Sequence, residues 1–315
     1  VVPQSGNTGL AGGGVPDPSG RAIVLSLERM NKIRDISPSA MTMTVEAGCV
    51  LAKLHETVEA QELFFPLNFG AKGSCMIGGN LSTNAGGSNV VRYGNTRELC
   101  LGLEVVVPDG RVMNLLSGLR KDNTGYDLRD LFIGSEGTLG VITAATMKLY
   151  PLPKARATAY VAVRSIADAL SLLNRVQAET GGAVEAFEIL PEIFLRMVAR
   201  HHAHLNPPFG DPPPYTAFIE IAATSESEAI AGPDGVVPIV RTLQDAVEQG
   251  FESGVVTDAV FATSEARRLE MWRLREAALE VTNAVRTKIG FDLSLPLDRI
   301  HDFVVETQAL VAGML

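Results

Sequence analysis

The placement of glycine constrains this chain more than any other feature of its sequence. Three glycine-rich stretches fall in the first half: PQSGNTGLAGGG from Pro3 to Gly14, PLNFGAKGSCMIGGNLSTNAGG from Pro66 to Gly87, and GSEGTLG from Gly134 to Gly140. Glycine lets a backbone approach a ligand closely and reach φ > 0, so that successive amides form a nest for an anion. One such loop is a turn. Three of them, each interleaved with Ser, Thr or Asn, point to a single long, phosphate-bearing ligand gripped at several places, and a dinucleotide fits that description.

Two familiar phosphate-binding patterns fail here. The nicotinamide fingerprint is G-x-G-x-x-G between a strand and a helix, with an acidic residue about 20 positions later. The first loop reads GNTGLAGGG, with other spacing and no clear helix after it. The ATPase loop needs Ser or Thr directly after its lysine, whereas Lys72 is followed by Gly73.

Composition bounds the rest. A chain of 315 residues has room for two domains of roughly 100 to 200 residues each. A net charge of -9 leaves no basic footprint for nucleic acid, and no apolar run reaches the roughly 18 residues that span a bilayer. Cys49, Cys75 and Cys100 are odd in number and lack CxxC spacing, which suits buried thiols in a reducing, cytoplasmic setting. Val1-Val2 runs straight into the first loop and Leu315 closes a helical run without a stop signal, so the chain reads as a piece truncated at both ends.

Periodicity predicts strands at 22–27, 42–46, 101–107 and 141–149, with Asp109-Gly110 turning the third into a hairpin through 111–113. A helix at 51–60 separates the second and third strands. The PLPK segment at 151–154 marks a domain boundary, giving domains at 1–152 and 153–315. Beyond it the pattern predicts strands at 158–163, 184–189, 216–222 and 255–261. They alternate with helices at 166–179, 192–202, 236–249 and 265 to about 286. This is an α+β layer, one sheet with helices on one face.

The stretches PQSGNTG, GAKGSCMIGGNLSTNAGG, RYG, LRKDNTGYDLRDLFIGSEGTLGVIT, VTDAVFAT, WRLRE and FDLSLP resemble, in order and across nearly the whole chain, the FAD-linked dehydrogenases of D-2-hydroxy acids. The resemblance implies an FAD-binding domain of the vanillyl-alcohol oxidase type followed by an α+β cap domain with an antiparallel sheet. It implies non-covalent FAD held by Pro3, Ser5, Gly6, Asn7, Thr8 and Gly9 at the pyrophosphate. Further contacts come from Pro66, Gly73, Ser74, Gly78, Gly79, Asn80, Thr83, Asn84, Gly86 and Gly87, and from Glu136, Gly137, Gly140, Val141 and Ile142. For Glu136 the backbone is the expected contact, since a carboxylate beside pyrophosphate is repelled.

The implied reaction is oxidation of a D-2-hydroxy acid, such as D-2-hydroxyglutarate or D-lactate, to the 2-oxo acid. Arg275 matches the arginine that clamps the substrate carboxylate, for which a guanidinium fork is suited. The plain alternative is an exposed helix arginine paired with Glu276 or Glu280. Arg268 and Arg273 are weaker candidates on the same helix. Where the family carries a substrate-contacting threonine and lysine, Leu279 and Gly290 stand, so Lys288 is the substitute offered and the broad 2-hydroxy acid class is favoured. The family also implies a divalent metal such as zinc and a histidine base, from motifs that do not occur in this sequence. His201, His202 and His204 read as a solvated helix end, with no carboxylate before Asp211, and His55 and His301 as surface residues. The family implies an electron acceptor such as an electron-transfer flavoprotein or a quinone; a homodimer is one assembly open to the chain, whose oligomeric state the sequence does not give. Two other readings stay open: a flavin-binding module without catalysis, and a flavin oxidase of a non-acid alcohol.

Overall fold

Alternation of side chains along strands decides which faces of this protein are buried, and in the computed structural model it does so separately in two units, Val1–Pro153 and Lys154–Leu315. Residues 1–202, 205–284 and 290–314 are described.

The first unit runs β1 (Val2–Gln4), β2 (Val24–Ser26), β3 (Ile33–Ser37), β4 (Thr42–Glu46), α1 (Leu51–Glu59), β5 (Leu63–Phe64), α2 (Ile77–Ser82), α3 (Val90–Tyr93), α4 (Thr96–Leu99), β6 (Cys100–Val106), β7 (Val112–Leu115), α5 (Leu128–Phe132), β8 (Val141–Lys148) and β9 (Tyr150–Pro151). Five strands form an antiparallel sheet in the order β3-β4-β8-β6-β7. One face carries Met43, Val45, Leu103, Val105, Ala145 and Met147, packed with Leu51, Leu54 and Val58 of α1 and Ile77 and Leu81 of α2. The other face is polar. There Thr44 and Thr146 hydroxyls lie 3.1 Å apart, and Arg34 donates to both oxygens of Glu104 and to Glu46. Strands β1 and β2 form a separate parallel pair, and β5 pairs with β9.

The second unit runs β10 (Ala155–Val163), α6 (Ile166–Glu179), β11 (Val184–Pro191), α7 (Glu192–His201), β12 (Tyr215–Ala223), α8 (Glu226–Ala229), α9 (Pro238–Glu252), β13 (Val256–Phe261), α10 (Glu265–Glu276), α11 (Ala278–Ala284) and α12 (Ile300–Ala312). Its four-stranded sheet is antiparallel throughout, in the order β11-β12-β10-β13. The expected strands and helices of this half are present. The expectation of helices on one face is wrong, however. Ala159, Val161, Ile219 and Ile221 meet α6 and α9 on one side, while Tyr160, Ala162 and Phe218 meet α7, α10 and α11 on the other. The reason is legible in β10 itself, where ATAYVAV is apolar at both parities and needs cover on both faces. The single long helix expected from 265 also divides, with Ala277 standing between α10 and α11. No described helix is long and apolar enough to cross a membrane.

Two polar groups are held within these layers by hydrogen bonds to the protein. Glu220, on the inner face of β12, accepts hydrogen bonds from the Thr158 hydroxyl at 2.7 Å, the Trp272 indole at 2.8 Å and the Arg268 guanidinium at 3.1 Å. Removing such a carboxylate strands its donors without solvent, at a cost of about 3–5 kcal/mol. Glu220→Ala is therefore expected to lower the urea midpoint of the second unit. Fluorescence of Trp272, the one tryptophan of the chain, reads this directly.

His55, expected at the surface, is instead half-buried on α1, with Nε2 donating to the Leu67 carbonyl at 2.8 Å. Burial pulls its pKa below the ordinary 6.5. The unfolded chain thus takes up a proton first. The stability due to neutral His55 is complete above about 6.5 and is lost as pH falls from there to the folded-state value, below which it levels off. Native-state hydrogen exchange of α1 at pH 7.5 and pH 5 is expected to show that loss, and His55→Gln, which keeps a donor toward Leu67, to remove most of it.

Candidate functional site

Close backbone crossing brings the three glycine stretches together in the first unit. A Cβ at Gly6 would stand 2.3 Å from the Ser74 carbonyl oxygen and 2.9 Å from Cys75 Cα, so the first loop crosses the second at backbone contact. A Cβ at Gly79 would lie 3.1 Å from Ser5 Cβ, and one at Gly137 would lie 3.1 Å from Pro3 Cγ. The third loop is tied to the second by amide bonds, Gly134 to the Leu81 carbonyl at 3.0 Å and Glu136 to the Ser82 carbonyl at 2.9 Å. Arg97 braces the same junction, its amide donating to Asn84 Oδ1 and its guanidinium to the Asp130 and Ile133 carbonyls. Nothing in the sequence signalled Arg97, because its partners lie in a distant segment.

Backbone strain is concentrated at this junction. Among the described residues five other than glycine have positive φ, and three of them, Asn7 (50°), Asn84 (47°) and Glu136 (52°), fall one in each glycine stretch. Such conformations persist where surrounding contacts enforce them and cluster at ligand sites.

The structure sorts the expected contacts into groups with different work. Gly78 lies against Ala47, Gly87 against the Asn68 carbonyl and Gly140 against Val105, so protein packing itself requires these glycines, while at Gly86 an added Cβ would meet only the end of the Asn95 side chain. Gly9 and Gly73 face open space, with no atom within 4 Å of an added Cβ. The amides of Asn7, Thr8 and Gly9 have no acceptor among the described residues, and neither do the hydroxyls of Ser5, Thr8 and Ser74. These are groups able to meet an anion. The Thr83 hydroxyl instead donates to the Gly79 carbonyl, Asn80 reaches Cys75 Sγ, and Asn84 is bonded to Arg97. The Glu136 amide is bonded to Ser82, so the backbone donor expected at the cofactor is already engaged. Pro66 is buried, its carbonyl accepting from Asn89, and Val141 and Ile142 open β8, with the Ile142 side chain in the core. The cysteines are buried and free, and burial pushes the Cys100 thiol up to about 12.

In the second unit Arg275 pairs with neither Glu276 nor Glu280. Its Nε donates to Glu188 of β11, a partner 87 residues away in sequence. Arg268 bridges Glu220 and Glu265, and Arg273 is exposed. Trp272 packs edge-on to Phe218, with ring centroids 4.7 Å apart. Lys288 and His204 lie outside the described residues. His202 is half-buried, and the carboxylate facing it is Glu280 at 3.8 Å from its Nδ1, while Asp211 pairs with Arg196. No group of three or more His, Cys, Asp or Glu among the described residues is placed to hold a metal ion, and no chemistry is assigned to one. The segment around Asp122 is a turn, Asp122 accepting from the Thr124 amide, and Asp127 caps α5.

Known proteins resemble this chain in sequence and in fold. Residues 1–116 match the family described as FAD binding domain, and residues 152–313 match that of the FAD linked oxidases, C-terminal domain. The chain is 40% identical over 306 residues to the mitochondrial D-2-hydroxyglutarate dehydrogenase of Rattus norvegicus, covering 97% of this chain and 55% of that protein. It is 39% identical over 311 residues to the D-2-hydroxyglutarate dehydrogenase of Xanthomonas citri pv. viticola, covering 99% of this chain and 62% of that protein. The chain thus spans a little over half the length of these relatives. Among solved structures it resembles an alkyldihydroxyacetonephosphate synthase with TM-score 0.63 at 19% identity, over 90% of this chain and 50% of that one, a likeness of fold.

The two kinds of glycine are separable by experiment. Gly6→Ala overpacks the loop crossing, which costs about 1–3 kcal/mol, and is expected both to lower the melting temperature and to weaken FAD binding by about 10-fold or more. Gly9→Ala has room in the protein and is expected to leave the melting temperature of the FAD-free chain unchanged. Weaker FAD binding by that variant, measured by flavin fluorescence, would place the ligand against Gly9.

Proposed function

The chain belongs to the FAD-linked oxidases, and from that premise we propose that it forms part of an FAD-dependent dehydrogenase that oxidises a D-2-hydroxy acid to the 2-oxo acid. The observation that carries the reading is identity of about 40% along nearly the whole chain with two relatives of that named activity, one animal and one bacterial.

The geometry supports it at both ends of the chemistry. In the first unit the unpartnered Asn7, Thr8 and Gly9 amides and the Ser5, Thr8 and Ser74 hydroxyls can donate to pyrophosphate oxygens. Close loop crossings tie the loops that carry those donors to one another. When bound, FAD supplies the hydride acceptor for the oxidation. In the second unit Arg275 holds a substrate carboxylate, fixing the adjacent hydroxyl-bearing carbon in a single orientation and removing the rotational freedom that would otherwise oppose reaction. A two-point contact between a guanidinium and a carboxylate suits this task better than a lysine would. On the resemblance alone, the electrons pass on to an electron-transfer flavoprotein or a quinone. The three free thiols, all buried, fit the reducing cytoplasmic compartment proposed for it.

The test is anaerobic titration of the full-length, FAD-loaded protein with D- and L-lactate and D- and L-2-hydroxyglutarate, following flavin absorbance. Bleaching by a D-acid and not by its L-enantiomer is the expected result, whereas flavin that stays oxidised with every acid returns the chain to the binding-module or non-acid readings. Loss of a charge-assisted carboxylate clamp is worth about 100-fold, so Arg275→Met is expected to lower kcat/KM by about that factor.

A further inference from the structure

Helix α10 is pinned to the sheet at several points of its inner face. The Tyr160 hydroxyl of β10 donates to the Met271 carbonyl at 2.8 Å, and burial pushes the Tyr160 pKa far up, keeping that donor protonated. Glu220 of β12 takes Arg268 and Trp272, one helical turn apart. Glu188 of β11 takes Arg275. Glu188 pairs with Phe218, two residues before Glu220 on β12, so the two carboxylates lie on one face of the sheet beneath one helix.

The two contacts differ in kind. Glu220 is buried and bonded to several donors, which makes it a structural anchor. Glu188 and Arg275 are both partly open, their side chains 22% and 30% exposed, and they share a single hydrogen bond through Nε. A guanidinium carries five N–H donors, and arginine and carboxylate commonly meet in a two-bond fork. Here only Nε is engaged, and no described residue accepts from Nη1 or Nη2 of Arg275. The terminal edge of the guanidinium, with its two parallel N–H groups, is therefore left for another carboxylate.

We propose that Glu188 is the positioning residue for Arg275: by holding Nε it fixes the guanidinium plane and presents the Nη1 and Nη2 edge to the substrate carboxylate. The inference rests on the reading of Arg275 as the carboxylate clamp. Glu188 performs no chemistry of its own. It keeps a long side chain in one rotamer and prevents it from turning along the helix toward Glu276. On this account reach matters more than charge, because the bond's function is to place Nε.

Two variants separate reach from charge in the full-length, FAD-loaded protein. Glu188→Asp keeps the charge and draws the acceptor back by one methylene, about 1.5 Å. Glu188→Gln keeps the reach and an amide oxygen to accept from Nε, and removes the charge. The readouts are KM and kcat with whichever D-2-hydroxy acid reduces the flavin, and the dissociation constant of oxalate, a non-oxidisable carboxylate, from its perturbation of the flavin spectrum. A misplaced binding group costs binding steeply, so Glu188→Asp is expected to raise KM and the oxalate constant about 10-fold with kcat within about threefold, while Glu188→Gln stays within about threefold of the parent in all three. In an Arg275→Met background Glu188→Asp is expected to change nothing further. The proposal is overturned if Gln is worse than Asp, if neither variant moves KM or oxalate binding, or if the Asp effect persists without Arg275. Failure of the dehydrogenase reading is distinct: there no 2-hydroxy acid reduces the parent protein. Oxalate binding then still tests Glu188, and a parent that binds no oxalate overturns the proposal as well.

Discussion

Contact between backbones at the crossing of the first two glycine loops is the constraint on which the first unit's site depends. With the Ser74 carbonyl 2.3 Å from where a Gly6 Cβ would be, no side chain can separate the two strands of chain there. That contact joins the first loop to the second, and the third loop closes on the second through the Gly134 and Glu136 amides. Strained backbone at Asn7, Asn84 and Glu136 is the local cost, offset by the packing that enforces it. The loops are held to one another by the protein's own backbone contacts, and such preorganisation lowers the ordering cost of binding a ligand.

The second unit solves a different problem, that of aiming one long side chain. An arginine on a solvent-facing helix samples many rotamers, and the ordering must come from its neighbours. Here it comes from the sheet beneath: Glu220 and Tyr160 hold α10 in place, and Glu188 holds the guanidinium. Apolar cover on both sheet faces makes this possible. A carboxylate buried under a helix costs less when its donors are built into the same interface, as Thr158, Trp272 and Arg268 are for Glu220.

Much of the fold was legible where a strand of about five residues or a helix of several turns carries a clear period. Strands 42–46 and 184–189 and helix 166–179 lie where alternation and the 3.6-residue repeat put them. Short elements were not legible. β1, β5 and helices α2 to α5 are two to six residues long, too short for a period to show. The break at Ala277 was equally silent, since alanine favours helix. At the site, sequence marked the glycines but could not tell packing glycines such as Gly78 from open ones such as Gly9, because that difference is made by residues far along the chain.

By itself the sequence determined the presence of three glycine-rich loops, the alternation of elements in the second half, and the arginines of the segment at 268–275. These are properties of local segments, and local residue types carry them. Only the tertiary structure decided that the three loops meet, which amides and hydroxyls remain unpartnered, that His55 is half-buried, that helices cover both faces of the second sheet, and that Glu188 is the partner of Arg275. Each of these depends on contacts between residues tens of positions apart, and such contacts exist only once the chain has closed its loops and buried its apolar faces.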